Sequence, residues 1–134
     1  MKVNIDRKNK TPYYQQLAQQ LLLAIAAGNL QHGDQLPSIR DLAGQTNLNY
    51  HTVHKSYKEL QKKGIITIKP SSKAFVITEK SAEAKSATQQ QLSIKIEQLV
   101  IEACVLEINK QQLQQVFQEN LNKYYTNNKD RKPL

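Results

Sequence analysis

Four residues, Thr46-Asn47-Leu48-Asn49, separate two short amphipathic stretches, and this interval constrains the chain more than any other feature. Upstream of it, Ser38 and Asp41 form a Ser-x-x-Asp cap: the serine oxygen takes a free amide and the carboxylate favours the positive end of a helix. That spacing predicts a helix from Ile39 to Gln45 with Ile39, Leu42 and Ala43 inward. Downstream, Asn49 caps a helix in which Val53, Tyr57 and Leu60 share one face until Gly64. So short a link forces the two helices to cross at a tight angle, with Leu48 filling the corner. This is the helix-turn-helix arrangement. Before it, Pro37 pushes Leu36 away from helical angles, so Gly33 to Ser38 reads as a turn, fixed by Asp34, into a short extended piece.

The flanks complete a small domain. Thr11 followed by Pro12 is a helix start, the apolar positions Tyr14, Leu17, Ala18, Leu21, Ala24 and Ile25 follow three-and-four spacing, and Gly28 supplies the stop, giving a helix from Pro12 to Ala27. After Gly64 the β-branched runs Ile65 to Lys69 and Lys73 to Thr78 flank a turn at Pro70-Ser71-Ser72 and predict a β-hairpin. Glu79 to Thr88 is small, charged and non-periodic, and reads as a linker or the loose start of the next helix. Beyond it Leu92, Ile96, Leu99, Ala103 and Leu106 recur with heptad-like spacing, and Ile101, Val105 and Ile108 are read as widening that apolar face. Asn109 and Gln112 resemble a second capping box ahead of a helix marked by Leu113, Val116, Phe117, Leu121 and Tyr124. The expected organisation is a DNA-binding-type head at 1–78, a linker at 79–88, a helical pairing region at 89–126 and a disordered tail at 127–134.

The 134 residues allow one small domain with an appendage and exclude a large multidomain enzyme. Seventeen glutamines, no tryptophan and an apolar content of 39% leave material only for a modest core. The net charge of +8 is unevenly placed. Through Thr78 there are eleven Lys and Arg against four Asp and Glu, a net +7, whereas the remainder carries only +1. A basic half joined to a neutral half is the pattern of one module that faces a polyanion and another with a different task. The longest apolar run, Leu21 to Ala27, is far short of the roughly 20 residues that span a bilayer. With no secretory signal at the start either, the expected location is cytoplasmic and no membrane partner is expected. The lone Cys104 has no internal disulfide partner, and its apolar neighbours predict buried packing.

The second helix of the pair holds the functional candidates. Tyr50, His51, His54, Lys55, Lys58, Lys62 and Lys63 lie off its apolar face, beside Asn49 and Thr52 at its start. In a helix entering the major groove, the N-terminal Asn and His side chains supply directional donors and acceptors to base edges while flanking cations neutralise phosphates. Charge alone fits a solvated lysine face equally well; the helix-turn-helix spacing favours DNA. Arg40, near the start of the preceding helix, is placed for the same phosphate backbone, and Lys69, Ser71, Ser72 and Lys73 surround the hairpin tip. His51 and His54 at i, i+3 lack a third metal ligand, so no metal and no cofactor is expected. Neither a glycine-rich phosphate loop nor a nucleophile elbow nor a carboxylate pair is present, so no enzyme is expected.

These residues resemble the N-terminal domain of GntR-type bacterial transcriptional regulators. The likeness runs over about residues 11–78, through Pro12-Tyr13-Tyr14-Gln15-Gln16-Leu17-Ala18, Gly28-Asn29-Leu30, Gly33-Asp34-Gln35-Leu36-Pro37-Ser38-Ile39-Arg40-Asp41-Leu42-Ala43, Leu48-Asn49, Thr52-Val53, Tyr57, Leu60, Gly64 and Phe75-Val76. It implies a mainly α fold with a small β-hairpin: a winged helix-turn-helix followed by a two-helix dimerisation tail. It further implies that Arg40 holds DNA from the first helix of the pair, that Asn49, Tyr50, His51, Thr52 and His54 line the start of the recognition helix, and that the wing tip approaches the minor groove. Where the family carries Gly-x-Gly-Thr-Phe in the wing, this chain has Ser71-Ser72-Lys73-Ala74-Phe75, with Lys73 placed to substitute a phosphate contact. The short tail is similar to that of the YtrA-like subgroup, which implies homodimerisation through Leu92, Ile96, Leu99, Ala103, Leu106, Leu113, Phe117 and Leu121. A repressor bound to a palindromic double-stranded DNA operator is thus expected, an unidentified small-molecule effector being an open addition. The alternative is a winged-helix module that docks another protein.

Overall fold

The computed structural model describes residues 3–125, so the expectation for the tail at 127–134 lies outside the described residues. The chain divides into two compact units, Met1–Glu79 and Lys80–Leu134. In the first, the element order is α1 (Tyr13–Ala26), α2 (Ile39–Thr46), α3 (Tyr50–Lys62), β1 (Ile66–Ile68) and β2 (Ala74–Val76). The second holds α4 (Ala82–Val105) and α5 (Lys110–Tyr124). This is the mainly α, winged helix-turn-helix architecture that the sequence implied.

Local chemistry sets each boundary. At the start of α1 the capping position belongs to Pro12, not to Thr11 as expected: the Pro12 carbonyl accepts from the Gln15 and Gln16 amides, and there is no side-chain cap. Thr11 is instead held outside the helix, its amide donating to Asn9 Oδ1 at 2.9 Å. At the other end Gly28, at φ +85°, lets its own amide reach the Ile25 carbonyl and the Asn29 amide reach that of Ala24, which closes the helix. Ser38 Oγ accepts from the Asp41 amide at 3.0 Å and opens α2. Asn47, in the left-handed region at φ 59°, ends it, and the Leu48 amide then bonds the Ala43 carbonyl at 3.1 Å. Asparagine tolerates that conformation better than most residues, so the tight turn is made without glycine.

The core of the first unit is Leu17, Ala18 and Leu21 of α1, Leu36, Leu42, Leu48, Val53, Tyr57 and Leu60 of the helix-turn-helix, and Ile66, Ala74 and Val76 of the hairpin. Helix α3 is its centre, packed against α1, α2 and β1. Two buried polar groups on α3 are satisfied across elements. Ser56 Oγ lies 2.6 Å from the Tyr14 carbonyl and 3.2 Å from that of Thr52, while the Tyr57 hydroxyl donates to the Pro37 carbonyl at 2.6 Å. The hairpin pairs Ile66 with Val76, Thr67 with Phe75 and Ile68 with Ala74. The outer edge of β2 is also covered: the Leu36 amide bonds Ala74, the Val76 amide bonds Asp34, and the Gly33 amide bonds Val76. The wing is therefore anchored from both sides of its second strand.

The second unit resolves one open alternative of the sequence reading and departs from it in two ways. Residues 82–88, read as a linker or the loose start of the next helix, are the first turns of α4, because Ser81 caps the Ala84 amide at 3.2 Å and alanine favours helix. Cys104, expected to be buried, is exposed, because α4 buries none of its side chains among the described residues. And Ile101 and Val105 do not widen the Leu92 stripe. At about 100° per residue, Leu92, Ile96, Leu99, Ala103 and Leu106 fall on one side of α4, and Ile94, Ile101 and Val105 fall on the opposite side. At α5 the reading holds: Asn109 and Gln112 exchange side-chain to backbone bonds at 2.8 and 3.1 Å in a capping box. No residue of α4 or α5 is buried.

Burial pushes the Tyr57 phenol above its ordinary value, so the native state favours the protonated ring. Tyr57→Phe leaves the Pro37 carbonyl without this donor and is expected to cost about 1–3 kcal/mol in denaturant titration. Because the folded-state value is raised, the stability from the neutral phenol is intact below the unfolded value of about 10 and declines as the pH rises beyond it. The variant lacks that alkaline decline, which titrations at several pH values will show.

Candidate nucleic-acid interface

Helix α3 has two unlike sides. Val53, Ser56, Tyr57 and Leu60 are buried, whereas Tyr50, His51, Lys55, Lys58, Lys62 and Lys63 are exposed and Thr52 and His54 half-exposed. Its start is held by Asn49, whose Oδ1 accepts from the His51 amide at 2.8 Å. Asn49 is thus committed as a cap through its oxygen, a role that the sequence reading assigned beside an expected DNA contact. The first turn carries an ordered aromatic set. The Tyr50 ring stands edge-on to His51 at 5.8 Å and stacks on His54 at 6.4 Å with 13° between planes. The nitrogens of both imidazoles serve as donors or acceptors.

Further along α3, Lys55 lies with Nζ 4.1 Å above the Tyr14 ring, which steers its charge toward the α1 side. Lys55, Lys58 and Lys62 line a groove with Tyr14, Glu59 and Gln61. Arg40 is exposed in the first turn of α2, one residue from the Asp41 amide that Ser38 caps. At the wing tip the Lys69 amide bonds the Lys73 carbonyl and the Ser72 amide bonds the Lys69 carbonyl, both at 2.8 Å. Closing so small a turn puts Ser72 in the left-handed region at φ 69°. Ser71, Ser72 and Lys73 are exposed there, while Lys69 extends over the Phe75 ring at 5.5 Å. Among the described residues no group of three or more His, Cys, Asp and Glu side chains gathers in a metal-binding arrangement. No helix among them is long and apolar enough to cross a membrane.

Sequence reasoning missed Arg7. Its Nη2 reaches the Thr46 carbonyl at the end of α2 at 3.5 Å, and its guanidinium lies 5.5 Å from the centre of the Tyr13 ring. The signal was present only as part of the basic charge of the first half, since no periodicity marks the segment before Pro12.

A short helix pair with a basic second helix, backed by a β wing, defines a DNA-binding regulator. Comparison with known proteins agrees. Residues 13–76 match the family described as bacterial regulatory proteins, gntR family. The chain is 34% identical to the solved structure of YtrA from Sulfolobus acidocaldarius, a GntR-family transcription factor, covering 74% of this chain and 97% of that one with a TM-score of 0.60. It is also 29% identical to the HTH-type transcriptional repressor YtrA of Bacillus subtilis over 87% of this chain and 90% of the relative. A transcriptional antiterminator structure from Listeria monocytogenes, 22% identical with a TM-score of 0.74 over 95% of both chains, has the same fold. The chain belongs to the GntR family. It is a DNA-binding transcriptional regulator, in a family of non-enzymatic proteins.

The cap that Asn49 forms and the DNA contact expected of it are separable. Asn49→Ala removes the α3 cap and is expected to cost about 0.5–2 kcal/mol in chemical denaturation. Asn49→Asp keeps the cap, so its stability should stay near the parent's while affinity for duplex DNA falls as a carboxylate meets phosphate.

Proposed function

We propose that this protein is a repressor that binds a palindromic operator as a homodimer, with two α3 helices in successive major grooves and two wings beside them. The observation that carries the reading is the division of α3 into a buried side at 0–1% exposure and an uncovered side of stacked aromatics and lysines. Such a helix is held rigidly from behind and offers polar groups in front, as base readout requires. Tyr50, His51, Thr52 and His54 are assigned to base edges, together with Asn49. Arg40, Lys55 and Lys58 are assigned to phosphates, and Ser72 and Lys73 to the adjacent backbone at the wing.

The tail supports the second copy. Leu92, Ile96, Leu99, Val100 and Leu106 are 42–65% exposed on one side of α4, and Ile94, Ile101 and Val105 are 55–73% exposed on the other. On α5, Val116, Phe117 and Leu121 are exposed too, with Leu113 half-exposed. An apolar surface of this extent marks an interaction site. A second copy supplies matching stripes, and the two opposed apolar faces of α4 support a central position for it among the assembled helices. Two heads joined in this way match the two-fold symmetry of a palindrome. The repressor assignment is supported by the likeness to the Bacillus subtilis YtrA repressor over nearly its whole length.

Two measurements test the reading. Six to ten phosphate contacts reduce affinity about 10³- to 10⁵-fold between 50 and 200 mM salt, so titrations of a labelled duplex should show that steep loss. Affinity that stays flat over this range contradicts it. In the same assay Arg40→Ala weakens binding to all duplexes alike, whereas His51→Ala changes preference at particular base pairs by about 1–3 kcal/mol. Sedimentation equilibrium should find a dimer at micromolar concentration, and Leu99→Glu should convert it to monomers whose heads keep the parent's unfolding transition. A monomeric parent rules out the dimer.

A further inference from the structure

The segment before α1 forms a second basic surface that the helix-turn-helix reading leaves unused. It is an ordered part of the head: Val3 and Ile5 pack against the core, and Gln20 Nε2 donates to the Asn4 carbonyl at 3.2 Å. Gln16 grips Asp6 from both sides, its Oε1 accepting from the Asp6 amide at 2.8 Å and its Nε2 donating to the Asp6 carbonyl at 3.0 Å. Asp6 in turn bends the chain over the next three residues. Its carboxylate accepts from the Lys8 amide at 3.0 Å and its carbonyl from the Asn9 amide at 3.2 Å. The result is a pinned turn on which Arg7, Lys8 and Lys10 are all exposed.

Two adjacent tyrosines, one toward the arm and one toward α3, lie beside this turn. Tyr13 carries the Arg7 guanidinium at 5.5 Å from its ring centre, and Tyr14 carries the Lys55 ammonium of α3 at 4.1 Å. The Tyr14 carbonyl also accepts from Ser56 of α3 at 2.6 Å. The first turn of α1 therefore stands between the arm and α3, with one cation seated on it from each. Arg7 meanwhile reaches the last carbonyl of α2, three residues before the cap of α3. Positive charge thus continues from α3 across α1 onto the arm.

We propose that Arg7, Lys8 and Lys10 form a phosphate clamp that grips the DNA backbone flanking the groove entered by α3. The inference rests on the DNA-binding reading above. Phosphates fit this surface better than bases do: the arm is an irregular turn, its three exposed cations outnumber the one exposed carboxylate of Asp6, and Arg and Lys neutralise phosphates without reading sequence. Because internal hydrogen bonds already order the turn, little conformational freedom is lost when it meets the backbone.

The test is Lys8→Ala/Lys10→Ala in the full chain, with Arg7→Ala as a second variant, titrated against one tightly bound duplex and one arbitrary duplex across the salt range. Each lost phosphate contact lowers the slope of log affinity against log salt by about 0.9, so the double variant should lower it by about 2 per head. Both duplexes should weaken by the same factor, with the thermal transition unchanged because the Lys8 and Lys10 side chains are exposed. A parent that binds steeply and a double variant with the parent's slope and affinity overturn the clamp alone. A parent that shows no salt-dependent binding overturns the clamp and the DNA reading together. A double variant that changes preference between the duplexes overturns the assignment to phosphates.

Discussion

The anchoring of α3 by its inner side is the constraint on which the rest of the head depends. Val53, Tyr57 and Leu60 fill the space among α1, α2 and β1, and none is more than 1% exposed. The hydroxyls of Ser56 and Tyr57 then tie the helix to Tyr14 and Pro37, so that two elements distant in sequence are held to it by polar as well as apolar contacts. Buried hydroxyls with good partners add specificity to a core that aliphatic packing alone leaves loosely defined. They fix the rotation of α3 about its axis, and rotation decides which side chains face outward.

Function follows from that rotation. With the apolar side locked inward, the Tyr50, His51 and His54 set and the lysines beyond it have one direction available to them. Base recognition needs donors and acceptors placed with little remaining freedom, whereas phosphate attraction tolerates a looser arrangement. In the proposed reading the head serves both needs: the aromatic turn at the start of α3 faces base edges, and the longer cations along α3, on α2, at the wing and on the segment before α1 face phosphates. The tail is the opposite kind of structure. Among the described residues α4 and α5 bury no side chain, and in the proposed dimer the second copy supplies the tertiary stabilisation of these helices.

Much of this was legible in the sequence. The Ser38 and Asn49 caps, the Asn109–Gln112 box, the glycine stop and the plug at Leu48 are local signals, written within four or five residues, and each appears at its expected place. The fold class followed from them. What sequence reading lost were the non-local facts. Nothing in the sequence around Val3 and Ile5 shows that two isolated apolar residues will dock on the core, because the Gln16 grip that positions them lies ten residues away. The helical extension through 82–88 was obscured by a lack of apolar periodicity, although Ser81 and the alanines favour helix without it. The two-sided character of α4 emerges only when residue spacing is converted to angle, at about 100° per residue. The wing shows how a departure from the family pattern is absorbed: without the two glycines, the left-handed residue of the turn is Ser72.

The central claim is that paired tails present two basic recognition helices to one duplex. Its most direct test is to recover bound duplexes from a random pool and map the protected sugars on them with hydroxyl radicals. The expected result is an inverted repeat with two protected blocks whose centres lie about one helical turn, roughly 34 Å, apart or a multiple of it. A single protected block on a sequence without a repeat, or no enrichment at all, contradicts the account.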